Sequence, residues 1–406
     1  MSEQIVITEA VKTMEDLPTL PSVVQKLLVM LRDPEFSARD VSAAICSDQA
    51  LAARVLKLVN SPAYGIAHDI QSIDRAVIIL GSEALQSLVL CAGVTAAMEA
   101  MANPAMLNGF WHHAYHVATS AHDLAERGDG AEPSEVFLAG LVHDLGELVL
   151  AVLRPDEWLR VRDLGARDRI ANEKRYLGLT HTRAGHMLAT RWCLPEEIAD
   201  VAREHHSERS TVSTERPTLA MIALADIFSR LAGAGVEPPP DERWLARLLR
   251  TTGFPVGDLA AFLREVDLKL AGRAAFLEIE NGAPIRPDFA RDGESARVSI
   301  LGASKSRLQW LQQLLLYHGL EIVPLRSFLT RQADVDLVIL DPGSLGRVQL
   351  EKSRPFLAHS RAIVATCGQQ PRDLVDEILG GPRPHLDLVF SPQELEAVMA
   401  LRAERG

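Results

Sequence analysis

Between Val136 and Leu153 the chain is apolar at nearly every position, and this run constrains the fold more than any other feature. A helix that is apolar almost all round is a buried helix, so the chain needs a helical core able to surround it. At about 100° per residue, Leu138, Leu141, Val142, Leu145, Leu148, Val149 and Val152 fall on one broad face. His143, Asp144 and Glu147 share a sector roughly 100° wide on the other side, together with Val136, Gly140 and Leu150. That mixture is no ordinary solvated stripe. A buried carboxylate stays ionised only beside a cation or several donors. Two readings follow: a core histidine hydrogen-bonded to Asp144, or a metal site. Gly140 and Gly146 each cost about 1 kcal/mol relative to alanine in a helix interior, which implies a close neighbour at the backbone.

The surroundings of this run also read as helices. Residues 17–128 form a succession of them: LPTLPSVVQKLLVML repeats apolar residues at three and four, and Ser37 and Ser47 stand where N-caps are expected. Pro62 and Gly65 in NSPAYG stop one helix, and helical signal resumes through SIDRAVIIL, EALQSLVLCAGV and FWHHAYHVATSAHDLAE. Helices also fit 134–153, 171–191, 196–206 and 217–232. AGAGVEPPP breaks the pattern, two more helical stretches run to about residue 280, and NGAPIRPDFARDGES (281–295) reads as a linker. Beyond it the period changes. RVSILG, LEIVPL, VDLVIL, RAIVAT and LDLVF are short β-rich runs separated in part by helical segments such as KSRLQWLQQLLLYHG and PRDLVDEILG. The expectation is an all-α domain over 1–280, with a core at about 15–230 and a helical extension at 241–280. A small doubly wound α/β domain is expected over 296–406.

The net charge of −12 and the lack of a basic cluster argue against a chain built to grip phosphate backbones, so no direct nucleic-acid binding is expected. MSEQIVITEA lacks a signal-peptide layout, and residues 76–98, interrupted by Gly81, Ser82 and Glu83, read as a pair of buried helices rather than a membrane span. Cys46, Cys91, Cys193 and Cys367 form no CxxC and read as reduced core thiols of a cytoplasmic protein.

Nine of the thirteen histidines lie between residues 112 and 206, far more than an even spread would give. In order come His113, His143-Asp144, His181, His205-His206 and then Asp226, each on a different expected helix, as metal sites in bundle cores require. Imidazole and carboxylate ligands together suit Mn, Fe, Co, Zn or Mg. One ion fits His113, His143, Asp144 and Asp226; a second fits His181 with His205 or His206, bridged by Asp144. His112, His116, His122 and His186 read as surface or supporting residues.

This order resembles the HD superfamily of metal-dependent phosphohydrolases. LPTLPSVVQKLL, the stretch from Ile45 to Gly65, IQSIDRAVIILG and RWCLPEEI resemble more specifically the HDOD family of bacterial signal-transduction modules, over roughly residues 15–230. The resemblance implies an all-helical fold with a regulatory or scaffolding role. Three departures from active relatives stand out. Glu147 replaces the lysine of HDxGK, no GYP follows the paired histidines, and Gly109 stands where one branch carries glutamate. A carboxylate at 147 repels phosphate where a lysine would neutralise it.

VDLVILDPG resembles the phospho-acceptor strand of a receiver domain, with Asp341 at the acceptor and Thr366 at the hydroxyl position. Gly302 and Ala303 replace the acidic pair, and Ser391 the lysine, so Asp341 is expected to be inactive. The sequence thus points to a signalling regulator with an HD-type metal pocket and a degenerate receiver-like domain. Its partners would be other signalling proteins, and a homodimer is compatible. The alternative is a metal-dependent phosphohydrolase acting on a nucleotide or cyclic dinucleotide.

Overall fold

The computed structural model describes residues 19–30, 37–60, 70–101, 104–128, 130–163, 169–232, 242–277, 296–302, 305–325, 335–340, 363–367 and 385–386, with residues 327, 351 and 354. Among the described residues four helices come first: α1 (Ser22–Met30), α2 (Ala38–Cys46), α3 (Gln49–Val59) and α4 (Ile73–Met101). Ser37 caps α2 as expected, in a box where Ser37 N–H donates to Asp40 Oδ2 (2.9 Å) and Asp40 N–H to Ser37 Oγ (3.4 Å). Ser47 does not cap α3. Its hydroxyl donates back to Ala44 O (2.6 Å), and Asp48 accepts from Leu51 N–H (3.0 Å) instead. The pair of helices expected across 76–98 meets at Gly81 (φ 80°, ψ 171°), a conformation that L side chains avoid. It is less buried than expected, since Ile78 and Ile79 face outward.

The centre of the helical part is built from α5 (Pro104–Arg127), α6 (Pro133–Val142) and α7 (Leu145–Leu153). Around them lie α8 (Pro155–Asp163), α9 (Arg169–Asn172) with the π-turn Glu173–Leu177, α10 (His181–Arg191), α11 (Glu196–Glu204), α12 (Pro217–Leu231), α13 (Glu242–Thr252) and α14 (Leu259–Leu277). Two expected helices are subdivided. Residues 134–153 break at His143-Asp144, where Asp144 leaves helical geometry (φ −100°, ψ 16°). Residues 171–191 break at Gly178 (φ 71°), which closes the π-turn. Pro133–Leu153 is long and apolar enough to span a membrane, but most of it is buried inside the protein. It is a core element. Of the cysteines, Cys91 is buried, whereas Cys46 and Cys193 are exposed, contrary to the core placement expected of them.

The α/β part holds β1 (Arg297–Leu301), α15 (Lys305–Tyr317), β2 (Glu321–Ile322), β3 (Leu337–Leu340), β4 (Ile363–Cys367) and β5 (His385–Leu386). Each of these five strands overlaps one of the expected runs, β4 and β5 each reaching one residue beyond theirs, and they pair in parallel in the order β2-β1-β3-β4-β5, that of the flavodoxin-like doubly wound fold. β3 is buried at every position, as parallel strands covered on both faces are. Asp341, Ala303, Ser391 and PRDLVDEILG lie outside the described residues, and Thr366 is placed in β4.

Helix α14 joins the two parts. Toward α5, Lys269 donates to Asp123 (2.7 Å) and Arg127 pairs with Glu265 (2.6 Å). Toward α15, Tyr317 Oη donates to Asp267 Oδ2 (2.9 Å) and Arg264 donates to Leu316 O. Asp267 Oδ1 also lies 3.9 Å from Nε2 of His116, which is wholly buried rather than superficial.

Gly140 explains how α5 and α6 come together: a Cβ there would stand 2.7 Å from Ala118 Cα. Backbone cannot yield as a side chain does. Gly140→Ala is therefore expected to lower the unfolding free energy by about 1–3 kcal/mol, although alanine is the better helix former by about 1 kcal/mol. A urea midpoint at or above wild type would contradict this close approach.

Candidate metal centre

Five helical segments deliver the conspicuous histidines and aspartates to one place. His113 lies in mid-α5, Asp144 at the α6–α7 break, His181 at the start of α10, His205 at the end of α11 and Asp226 in α12. The break at 143–144 depends on a second backbone contact. A Cβ on Gly146 would collide with His181 O and stand 2.5 Å from Gly185 N, so α7 and α10 approach only through glycines. This seats Asp144 directly beside His181.

Asp144 divides the pocket into two sides. His113 Nε2 lies 3.4 Å from Asp144 Oδ2, 3.4 Å from Asp226 Oδ1 and 3.2 Å from His143 Nε2. His143 Nε2 is 3.5 Å from the same Oδ2. On the other side, Asp144 Oδ1 lies 3.2 Å from His205 Nε2 and 3.4 Å from His181 Nε2. The ring of His206 stacks at 4.1 Å from His205. Donor atoms of Asp144, His181, His205 and His206 lie within 4.8 Å of one another, as do those of His113, His143 and Asp144.

The outer nitrogen of four of these rings is held. His143 Nδ1 donates to Gly140 O (2.7 Å) and His205 Nδ1 to Val201 O (3.0 Å). His181 Nδ1 donates to Glu173 (2.8 Å), and His113 Nδ1 bonds Ser229 Oγ (3.0 Å). A proton on Nδ1 of a neutral ring leaves a lone pair on Nε2, so His143 and His205, which donate to backbone carbonyls, aim acceptors inward, and His113 and His181 do so once an ion displaces their inner protons. His181 Nε2, His205 Nε2, His206 Nε2 and Asp144 Oδ1 are buried without a hydrogen-bond partner. They are close but misaligned for bonding one another. Buried groups left in this state cost about 1–3 kcal/mol each, and a divalent cation satisfies them together. The donor set therefore fits such an ion.

The electrostatics agree. Burial works against charge on Asp144, yet the surrounding imidazoles hold its carboxyl well below the usual range. Burial also opposes charge on His113 and His181; Asp144 with Asp226 raises the first to about 9, and Glu173 with Asp144 raises the second to about 9. Burial drives His143 down to about 4. The carboxylates demand positive charge, which protons or a divalent ion can supply.

Two participants were not expected from the sequence. Arg169 pairs with Glu147 and donates through Nε to Glu173 (3.2 Å). Glu147, which stands where active relatives carry lysine, is compensated by an arginine from α9. Burial, opposed by Arg169, raises its carboxyl to about 7. Arg169 and Glu173 both come from the charged stretch RDRIANEK, which looks like any solvated helix face. His186 and His122 have partners outside the two donor groups. His186 Nδ1 donates to Ala199 O (3.1 Å), and His122 is 3.4 Å from Asp123.

The HDOD domain is matched over residues 17–208. An HDOD domain protein of unknown function from Geobacter sulfurreducens superposes with a TM-score of 0.56 at 30% identity, covering 68% of this chain and 99% of that one. A putative phosphohydrolase from Shewanella amazonensis SB2B superposes with a TM-score of 0.52 at 27% identity, covering 66% and 96%. An uncharacterized protein from Treponema pallidum is 28% identical over 220 residues, 53% of this chain and 42% of that protein's length.

Two outcomes are expected of a divalent ion such as Mn²⁺ or Zn²⁺. At about 100 times its dissociation constant it should stabilise the metal-free protein by about 2.7 kcal/mol, an effect that Asp144→Asn, which touches both donor groups, removes. Uptake should weaken as pH falls below about 9, because the ion must displace protons from His113 and His181. Thermal unfolding unchanged by metal would exclude the site, and pH-independent uptake between about 6 and 8 would exclude the proton competition.

Proposed function

The chain belongs to the HDOD family, and on that premise we propose that it is a signal-transduction regulator acting through protein–protein contacts. In this reading its HD-type pocket binds divalent metal but turns over phosphoesters poorly. His113, His143, Asp144 and Asp226 hold one ion, and His181, His205 and Asp144 a second, with His206 beside it. A divalent ion there supplies Lewis acidity toward a phosphoryl oxygen. The chain's own residues limit the use of that acidity. The observation that carries the reading is that Arg169 is already held between Glu147 and Glu173. An incoming phosphate meets Glu147 with its compensating cation committed. A missing transition-state donor costs about 10²–10³ in rate.

The parallel sheet order supports reading residues 296–406 as a receiver-like domain, which would serve as the partner-facing or input module. In sequence, Asp341 directly follows β3, but Gly302, Ala303 and Ser391 supply neither the acidic pair nor the lysine of a phosphorylatable receiver. The rival reading, a metal-dependent phosphohydrolase, draws on the converging Nε2 atoms and the similarity to the Shewanella putative phosphohydrolase.

Assays with Mn²⁺ on nucleotides and cyclic dinucleotides separate the two. Wild type is expected to show marginal turnover and Glu147→Lys to gain activity. Wild-type turnover at about 1 s⁻¹ or faster, abolished by Asp144→Ala, would establish the phosphohydrolase.

A further inference from the structure

We infer that Glu173, backed by Arg169, is the positioning residue for the His181 side of the pocket. The inference rests on the metal reading above and says which residue outside the donor set governs the second ion.

Glu173 is almost wholly buried (2% exposed), a costly place for a carboxylate, and its oxygens are fully engaged. They accept from His181 N–H (2.8 Å), from His181 Nδ1 (2.8 Å) and from Arg169 Nε (3.2 Å). The ring and the backbone of one donor residue thus hang on one side chain. The other rings are oriented differently. His143 and His205 rely on backbone carbonyls, and His113 on the Ser229 hydroxyl. Among these four, His181 alone is oriented by a charged side chain from another segment.

Local backbone geometry serves the same contact. Glu173 opens the π-turn, and its own carbonyl accepts from Gly178 N–H (3.1 Å), with Gly178 at φ 71°. One residue therefore closes the turn through its backbone and holds His181 through its side chain. Single π-turns are rare and concentrate at functional sites. A humbler role is also open to it: Glu173 accepts the first amide of α10 and so caps that helix. Capping alone predicts lower stability with both ions affected alike. Positioning predicts selective loss on one side.

The test titrates the full-length, metal-free protein with Co²⁺, reading stoichiometry together with the visible absorption of bound cobalt. Wild type should take up two equivalents. Glu173→Gln keeps an acceptor for the α10 amide but removes the charge facing His181. It should weaken one equivalent by about ten- to a hundredfold and change its absorption band, leaving the affinity and band of the other equivalent unchanged. Ser229→Ala should weaken the opposite equivalent. If Glu173→Gln fails to fold, Arg169→Gln decides, with selective weakening of the same ion expected. Unchanged binding, equal weakening of both ions, or both variants acting on the same equivalent would overturn the inference while leaving the metal reading standing. A wild-type protein that takes up no Co²⁺ would overturn both.

Discussion

A buried carboxylate has to be compensated, and in this protein Asp144 is the one around which the histidine pocket is built. One oxygen faces His113 and His143, the other His181 and His205. Bringing three imidazoles from other segments to Asp144 and its neighbour His143 dictates much else. The apolar run must break at residue 144, and two glycine contacts must let backbones touch, Gly140 against α5 and Gly146 against α10. The pocket is therefore the packing solution of the core, and the fold and the site stand on the same constraint.

The donor residues were legible because their chemistry is conspicuous. Histidines and aspartates inside apolar helices stand out against leucine and valine, and their order along the chain already divided them into two groups around Asp144. The α/β part was legible for a different reason: its short β-rich runs alternate with helical segments, and connections that long favour parallel pairing. The break at His143-Asp144 was not legible, since both residues continue a helical pattern and only tertiary approach at Gly146 bends it. Arg169 and Glu173 were missed because their distance from the pocket is set by a π-turn. One added residue in a turn changes which side chain faces inward, and periodicity assumes there is none. The burial of His116 depends on α14, far off in sequence.

That same α14 ties the α/β part to the helix that carries His113. Asp267 lies between Tyr317 of α15 and His116 of α5, one turn beyond His113. Lys269–Asp123 and Arg127–Glu265 pin the two helices together beside that contact. The sheet and the pocket are thus joined through packed side chains on one shared helix.

The account stands on Asp144 lying between two cation positions. Anomalous diffraction from crystals grown with Mn²⁺ or Zn²⁺ addresses this directly. The account predicts two peaks flanking Asp144, one among His113, His143 and Asp226 and one among His181 and His205. Ions bound only elsewhere on the protein, with no peak touching Asp144, would contradict it.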